Sequence, residues 1–376
     1  MMWMGPPANL LNWGRLIANN PGQPGNLPRS SMIELKSRRH TVDDLGSAIE
    51  LCYASGWTDG LPVIPPTAER ITAMLEAANL KPEQQLSFIE NRQVSVTAEK
   101  VAINAVMAGC KPEYMPVIVA TVEALADPLY GYHGPATSTG GSAVFMLVNG
   151  PIAKKIGMNS GDNVFGQGWR ANATIGRAIR LMMQNVIGTT PGVLDRSSLG
   201  HPGKYTFCIA ENEEDSPWPA FHTTRGFKPE QNAVTIFAAL GVHQYSNGLS
   251  ATPEGVLTTT CAQMRFSAGT NRQPQYAMVF AGEHQLIMQK AGWSREDVQN
   301  YVFEHSKMSQ AEMQRANIRP GPITAETEAT IQPLVHTPQD LLVIAAGGKA
   351  GVQSCYIPGW GSKNGSQSVT REIKIP

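Results

Sequence analysis

Four short apolar runs constrain this chain most: "AVFMLVNG" from Ala143, "VTIFAALG" from Val234, "YAMVFAG" from Tyr276 and "LLVIAAGG" from Leu341. Each is too short for an ordinary helix and ends at glycine, so each reads as a strand. Helical spacing fills much of the sequence between them. Pro253 to about Phe266 and His284 to Ala291 are two such stretches, and Ser294, with Asp297 three residues on, caps a third. Strands alternating with helices predict an α/β fold with a parallel or mixed sheet, "LLVIAAGG" forming its final strand.

The N-terminal part is richer in helix. Thr41 and Asp44 resemble a capping box opening "DDLGSAIELCYAS", which Gly56 stops, and Thr67 caps "AERITAMLEAAN". "VSVTAEKVAINAVMAG" starts at a Ser or Thr cap and runs to Gly109, after which Pro112 opens a second segment where its missing N–H costs nothing. A long helix is expected from about Trp169 to Val186, and "YTFCIA" reads as a short strand. The expected organisation is two-lobed: an arm over 1–40, a helix-rich N-terminal α/β lobe over 41–230, and an α/β C-terminal lobe over 231–376. Trp3 and Trp13 on an arm without periodicity must bury on the parent lobe or another subunit, which favours a homo-oligomer.

Composition narrows the function classes. Thirty basic residues balance thirty acidic ones, so the chain lacks the field a nonspecific nucleic-acid or acidic-membrane binder needs. Charged residues are only 16% of the chain, while 36 glycines and 27 prolines favour a loop-rich enzyme over a helical adaptor. Five dispersed cysteines without a C-x-x-C pair suit a reducing cytoplasm. No apolar run approaches the roughly 20 residues of a membrane span, and the start lacks a basic leader. A soluble cytoplasmic protein with a small-molecule substrate is expected.

Cys110 is the first candidate for chemistry. It precedes an expected helix N-terminus, beside Lys111 and Pro112, a setting that lowers a thiol pKa, although a free cysteine is also a common small core residue. Glu283 and His284 follow a strand and open a helix, and His243 is expected at another strand end, where ligand groups collect in α/β sheets. A capping Glu with a surface His is the plainer alternative. No H-x-x-x-H or H-E-x-x-H spacing supports a metal site.

The glycine-rich stretch before Arg170 leads into the long helix, with Asn172 in its first turn. Arg170 and Arg177 share a face there, and Arg180 lies one turn beyond Arg177, so an anion could be held. Thr137, Ser138 and Thr139 could stabilise an oxyanion or build an ordinary turn, and no G-x-S-x-G elbow is present. Lys349 in "AAGGKAG" could approach an anion. Glu211, Glu213, Glu214 and Asp215 form an acidic run that is ordinarily a solvated loop but could supply a base.

The ordered motifs "SGWTDGLPVIPPT", "NAVMAGCKPEYMPV", "ANATIGRAIRLMMQNVIG", "HPGKYTFCIAENEEDSPW" and "AGEHQLIMQKAGWSREDV" span roughly residues 40 to 360. They resemble an uncharacterised bacterial family associated with genes near small selenocysteine-glycine-serine-cysteine proteins. The resemblance implies thiol or selenol chemistry and supplies no catalytic roles. Where a histidine is expected after the terminal glycine loop, this chain has Gln353.

The leading expectation is a cofactor-independent, cysteine-dependent lyase or hydrolase that cleaves a bond in a small polar or anionic molecule. Cys110 would be the nucleophile, His284 or His243 the acid/base and Arg177 the anchor. A thiol redox or transfer subunit working with a partner protein, and a metal-dependent hydratase or hydrolase, are the alternatives.

Overall fold

The computed structural model describes residues 33–265, 267, 273–362 and 364–376, so nearly all of the expected arm, and the oligomer contact argued from it, lies outside the described residues. From Leu35 to Pro376 the chain forms one compact unit. The first half holds α1 (Leu45–Ala54), α2 (Ala68–Glu76), β1 (Gln85–Ile89), β2 (Val94–Thr97), α3 (Ala98–Ala108), α4 (Met115–Leu125), α5 (His133–Thr137), β3 (Ala143–Asn149), α6 (Pro151–Lys155) and α7 (Arg170–Met182). It continues with β4 (Cys208–Ala210), β5 (Ala233–Ala239), β6 (His243–Ser246), α8 (Pro253–Met264), β7 (Tyr276–Phe280), α9 (Gly282–Lys290) and α10 (Arg295–His305). The last part holds β8 (Met308–Ser309), α11 (Gln310–Arg315), α12 (Ala325–Ala329), β9 (Ile331–Gln332), β10 (Leu341–Ala345), β11 (Gln353–Pro358) and β12 (Val369–Glu372).

The fold is α/β, and the four apolar runs explain its layering. They lie in two four-stranded sheets, ordered β12-β5-β3-β4 and β10-β7-β11-β6, three of them central and β10 at an edge. Both sheets are mixed: β3 runs parallel to β4 and antiparallel to β5, while β7 runs parallel to β10 and antiparallel to β11. All seven residues of β5 are buried, because both faces of the strand meet apolar neighbours. One face of each sheet contributes to a shared core, in which Phe145, Leu147 and Phe237 join Val279, Ile344 and Ile357. The other face of the second sheet, with Met278, Phe280 and Val343, packs on Val256 and Leu257 of α8, Met288 of α9 and Val298 and Val302 of α10. α4 and α7 pack on the first sheet. The result is helices, sheet, sheet, helices, and each fully buried Leu, Ile or Phe in it contributes roughly 1.5–3 kcal/mol.

Chain order does not follow the expected boundary near residue 230. β5 lies beyond that point yet pairs along its length with β3, and the C-terminal β12 returns to pair with β5. "LLVIAAGG" is followed by two more strands, β11 and β12, the latter half-buried and ending in charged Arg371 and Glu372. Local signals fared well where capping chemistry was explicit. Thr67 accepts from Arg70 N, and Ser294 and Asp297 form the expected capping box. The cap of α1, by contrast, is Asp44 itself, which accepts from Ser47 N.

Candidate functional site

Cys110 lies between α3 and α4, and α7 supplies its nearest polar neighbour. Gly109, at φ 91°, closes α3, and a single 3-10 turn, Pro112–Tyr114, separates Cys110 from α4. The thiol is 6% exposed and donates to Thr174 O at 3.2 Å. Burial pushes its pKa up to about 12, against weaker opposing pulls from Arg170 and Arg177. The expected primed thiolate is therefore corrected: desolvation outweighs helix-end and cationic stabilisation, and the group is a protonated core thiol. Cys208, Cys261 and Cys355 are also buried thiols pushed up by burial.

The other expected residues mostly hold the fold together. Arg177 makes a two-pronged ion pair with Asp59 at 2.7 and 2.8 Å and also donates to Leu61 O and Pro62 O. Arg170 Nε donates to Gly109 O at 2.9 Å, and Asn172 exchanges hydrogen bonds with the Asn159 backbone. These three brace loops, so the expected anion anchor is not built from them. Thr137 donates to His133 O, Ser138 Oγ accepts from Gly140 N and Trp360 Nε1, and Thr139 O accepts from Ser198 N. Lys349 pairs with Asp215 at 2.9 Å on the surface.

The histidines do not converge on Cys110. His284 is fully buried beside the second sheet, with Nδ1 2.7 Å from Ser354 Oγ and Nε2 3.0 Å from Asn247 O. Its neighbour Glu283 accepts from Gly351 N at 2.7 Å. His243 begins β6 rather than ending a strand, and it stacks on Tyr356 at 5.0 Å. Gln353, opening β11, accepts from the Gln244 side chain. The acidic run is not a solvated loop throughout. Glu211 is buried and accepts from Asn149, Phe221 N, Arg295 and Ala345 N, while Glu213 accepts from Asn149 and Gly150 N.

Polar chemistry gathers instead where α7 ends. The helix runs into a π turn at Met183–Ile187, a local widening often found at functional sites, and Gly188 then takes a left-handed conformation to turn the chain. The loop closes on itself, Asp195 N donating to Thr190 O and Gly192 N to Asp195 O. This returns the Asp195 carboxylate beneath Arg180, which donates to it at 2.7 Å. Lys204, at the end of the 3-10 turn Pro202–Lys204, reaches the same carboxylate at 2.6 and 2.9 Å. Ser197 completes the group: its Oγ is 2.5 Å from Asp195 Oδ1 and 2.6 Å from Lys204 Nζ.

Arg180, Asp195 and Lys204 line a small cavity of about 10 Å³, room for roughly one water, together with Tyr130, Tyr132, Ser142 and Met183; Ser197 stands beside it through Asp195 and Lys204. Tyr132 shares a 2.6 Å hydrogen bond with Thr189. Arg180, Asp195 and Lys204 are 13%, 5% and 15% exposed, so their fields are little screened by water. Burial disfavours the Asp195 anion, yet hydrogen bonds from Lys204, Ser197 and Arg180 overcome it and hold the carboxyl well below its usual range. Burial, aided by the Arg180 charge, pulls Lys204 below the ordinary lysine range against the raising effect of Asp195. Two cations against one anion leave an excess of one positive charge.

Of this site, only Arg180 was singled out from sequence. Asp195 and Ser197, two apart in "DRSS", carry the signature of an Asx turn, but nothing in that signature announces Lys204 as their partner. Among the described residues, no group of three or more His, Cys, Asp and Glu side chains is placed to hold a metal ion, and no helix is long and apolar enough to cross a membrane. No protein-family model matches the chain, and no curated protein matches it.

Proposed function

We propose that the protein is a hydrolase that acts on an ester or amide of a small anionic molecule, with Ser197 as nucleophile and Lys204 as the group that takes and returns its proton. The reading rests on one observation, the 2.6 Å contact between Lys204 Nζ and Ser197 Oγ in a site where burial lowers the lysine pKa. In the resting site Ser197 donates to Asp195 and Lys204 donates to Ser197; once Lys204 has lost a proton, the hydroxyl turns from Asp195 to the amine, which accepts its proton as Oγ attacks the substrate carbonyl. The acyl–oxygen bond to Ser197 forms, the leaving group departs with the proton from Lys204, and water repeats the sequence to release the acid. Asp195 holds the lysine in line. While Lys204 keeps its proton, the excess positive charge of Arg180 and Lys204 over Asp195 favours the approach of an anionic substrate.

The proposed steps use only protein side chains and water. The expected small polar or anionic substrate narrows to an anionic one, and Ser197 replaces the cysteine nucleophile. Five unpaired thiols suit a cytoplasmic setting.

A fluorophosphonate probe tests the reading, because it marks an activated serine without knowledge of the substrate. Peptide mass spectrometry should find the adduct on Ser197 in the native protein and lose it in Lys204→Met. An unlabelled Ser197 in folded protein, or equal labelling in Lys204→Met, sinks the proposal.

A further inference from the structure

Lys204 owes its position to the turn it ends, and that turn is capped by a histidine. His201 stands at the N-terminus of Pro202–Lys204, and Gly203 N donates to its Nδ1 at 3.2 Å. A backbone N–H can only donate, so Nδ1 must present its lone pair. The proton of the neutral ring then lies on Nε2, which faces Ala239 O at 3.4 Å. One tautomer of the uncharged imidazole satisfies both contacts. Protonation would set N–H against N–H at Gly203 and place a second positive charge near Lys204.

The ring has little room to escape that conflict. Phe207 packs edge-on against it at 5.8 Å, and a Cβ built on Gly203 would fall 2.6 Å from His201 Cε1. Ala239, at the end of β5, is bridged to Gly359. The turn is therefore the part free to yield. Lys204 is the charged group acting on the imidazole; Ala239 and Phe207 meet it with a carbonyl and a ring. Burial, helped by the weaker Lys204 charge, holds the imidazole below its ordinary pKa against the raising effect of the Ala239 carbonyl.

We infer that His201 is the positioning residue of the Ser197–Lys204 pair: its neutral ring fixes the turn that delivers Lys204, and its protonation lets that turn go. The inference rests on the proposed role of Lys204, and it adds a pH switch to the same site. It concerns placement, so it can be measured without turnover.

Protein labelled with ¹³C at the lysine ε-carbon reports the surroundings of Lys204, assigned through Lys204→Arg, as pH falls from about 8 to about 5. In the native chain the Lys204 signal should shift with the same midpoint as the His201 ring protons. His201→Asn, whose side-chain oxygen can accept from Gly203 N without titrating, should keep the high-pH signal throughout. His201→Leu, uncharged and unable to cap, should displace it at every pH. The inference is overturned if the native Lys204 signal ignores the His201 titration, if His201→Asn shifts as the native chain does, or if His201→Leu retains the native signal. If a histidine variant fails to fold, the native titration decides alone. Failure of the hydrolase reading looks different: Ser197 stays unlabelled by fluorophosphonate while the coupling of Lys204 to His201 persists.

Discussion

Replacing Asp195 by Asn tests whether the site is organised by charge. The Asp195 carboxylate accepts from Arg180 Nη2, twice from Lys204 Nζ, and from the hydroxyl and backbone N–H of Ser197, at distances between 2.5 and 3.2 Å. Asparagine keeps the shape but turns one acceptor into a donor and leaves two largely buried cations without their counter-charge. Breaking one side of a buried ion pair costs about 3–5 kcal/mol, and the residual exposure of both cations puts the expected loss near the lower figure. Lys204→Met should cost less, about 1–2 kcal/mol, because Asp195 keeps Arg180 and Ser197. Urea unfolding followed by circular dichroism would compare the variants. The sign of the pH dependence follows from a carboxyl held below the ordinary aspartate value of 3.8. Its stabilisation is complete above that value and is lost as pH falls toward the lower folded pKa, so Asp195→Asn should flatten the acid limb of the native stability curve. A loss under about 1 kcal/mol for Asp195→Asn, or a larger loss for Lys204→Met, would refute the argument.

Other consequences can be measured in the same preparations. With the Cys110 thiol pushed up to about 12, roughly one molecule in ten thousand carries the thiolate at pH 8, so iodoacetamide should label Cys110 only after unfolding; rapid native labelling would contradict the burial argument. Arg177→Met strips Asp59, 5% exposed, of its two-pronged partner and frees the carbonyls of Leu61 and Pro62, and should cost about 3 kcal/mol in chemical denaturation, with faster proteolysis within 56–62. Gly282→Ala would press a methyl group to 2.6 Å from Lys349 Cα, a backbone contact that cannot relax cheaply, and should lower stability by about 1–3 kcal/mol with little change at Ser197.

The contrast between Cys110 and Lys204 shows what the sequence could disclose. Strand and helix existence was legible because apolar runs and capping pairs are local: Ser294 and Asp297 form the predicted box, and β3, β5, β7 and β10 occupy their runs. Pairing was not legible, since nothing in "VTIFAALG" tells β5 to cross the expected boundary and join β3. The same limit governed the site. A cysteine before a proline-led segment suggests a lowered pKa from local geometry alone, but ionisation depends on burial, which is set by α7 presenting Thr174 some sixty residues away. Asp195 and Lys204 are nine residues apart, yet their meeting depends on the closed loop after the π turn and on the capped turn at His201. Arg177 and Arg180 make the point on one helix. Both were candidates to hold an anion; the loop bearing Asp59 takes up the first, whereas the loop bearing Asp195 delivers the second to a cavity. Chemical role here is assigned by which loop arrives opposite a side chain, and that is a property of chain topology.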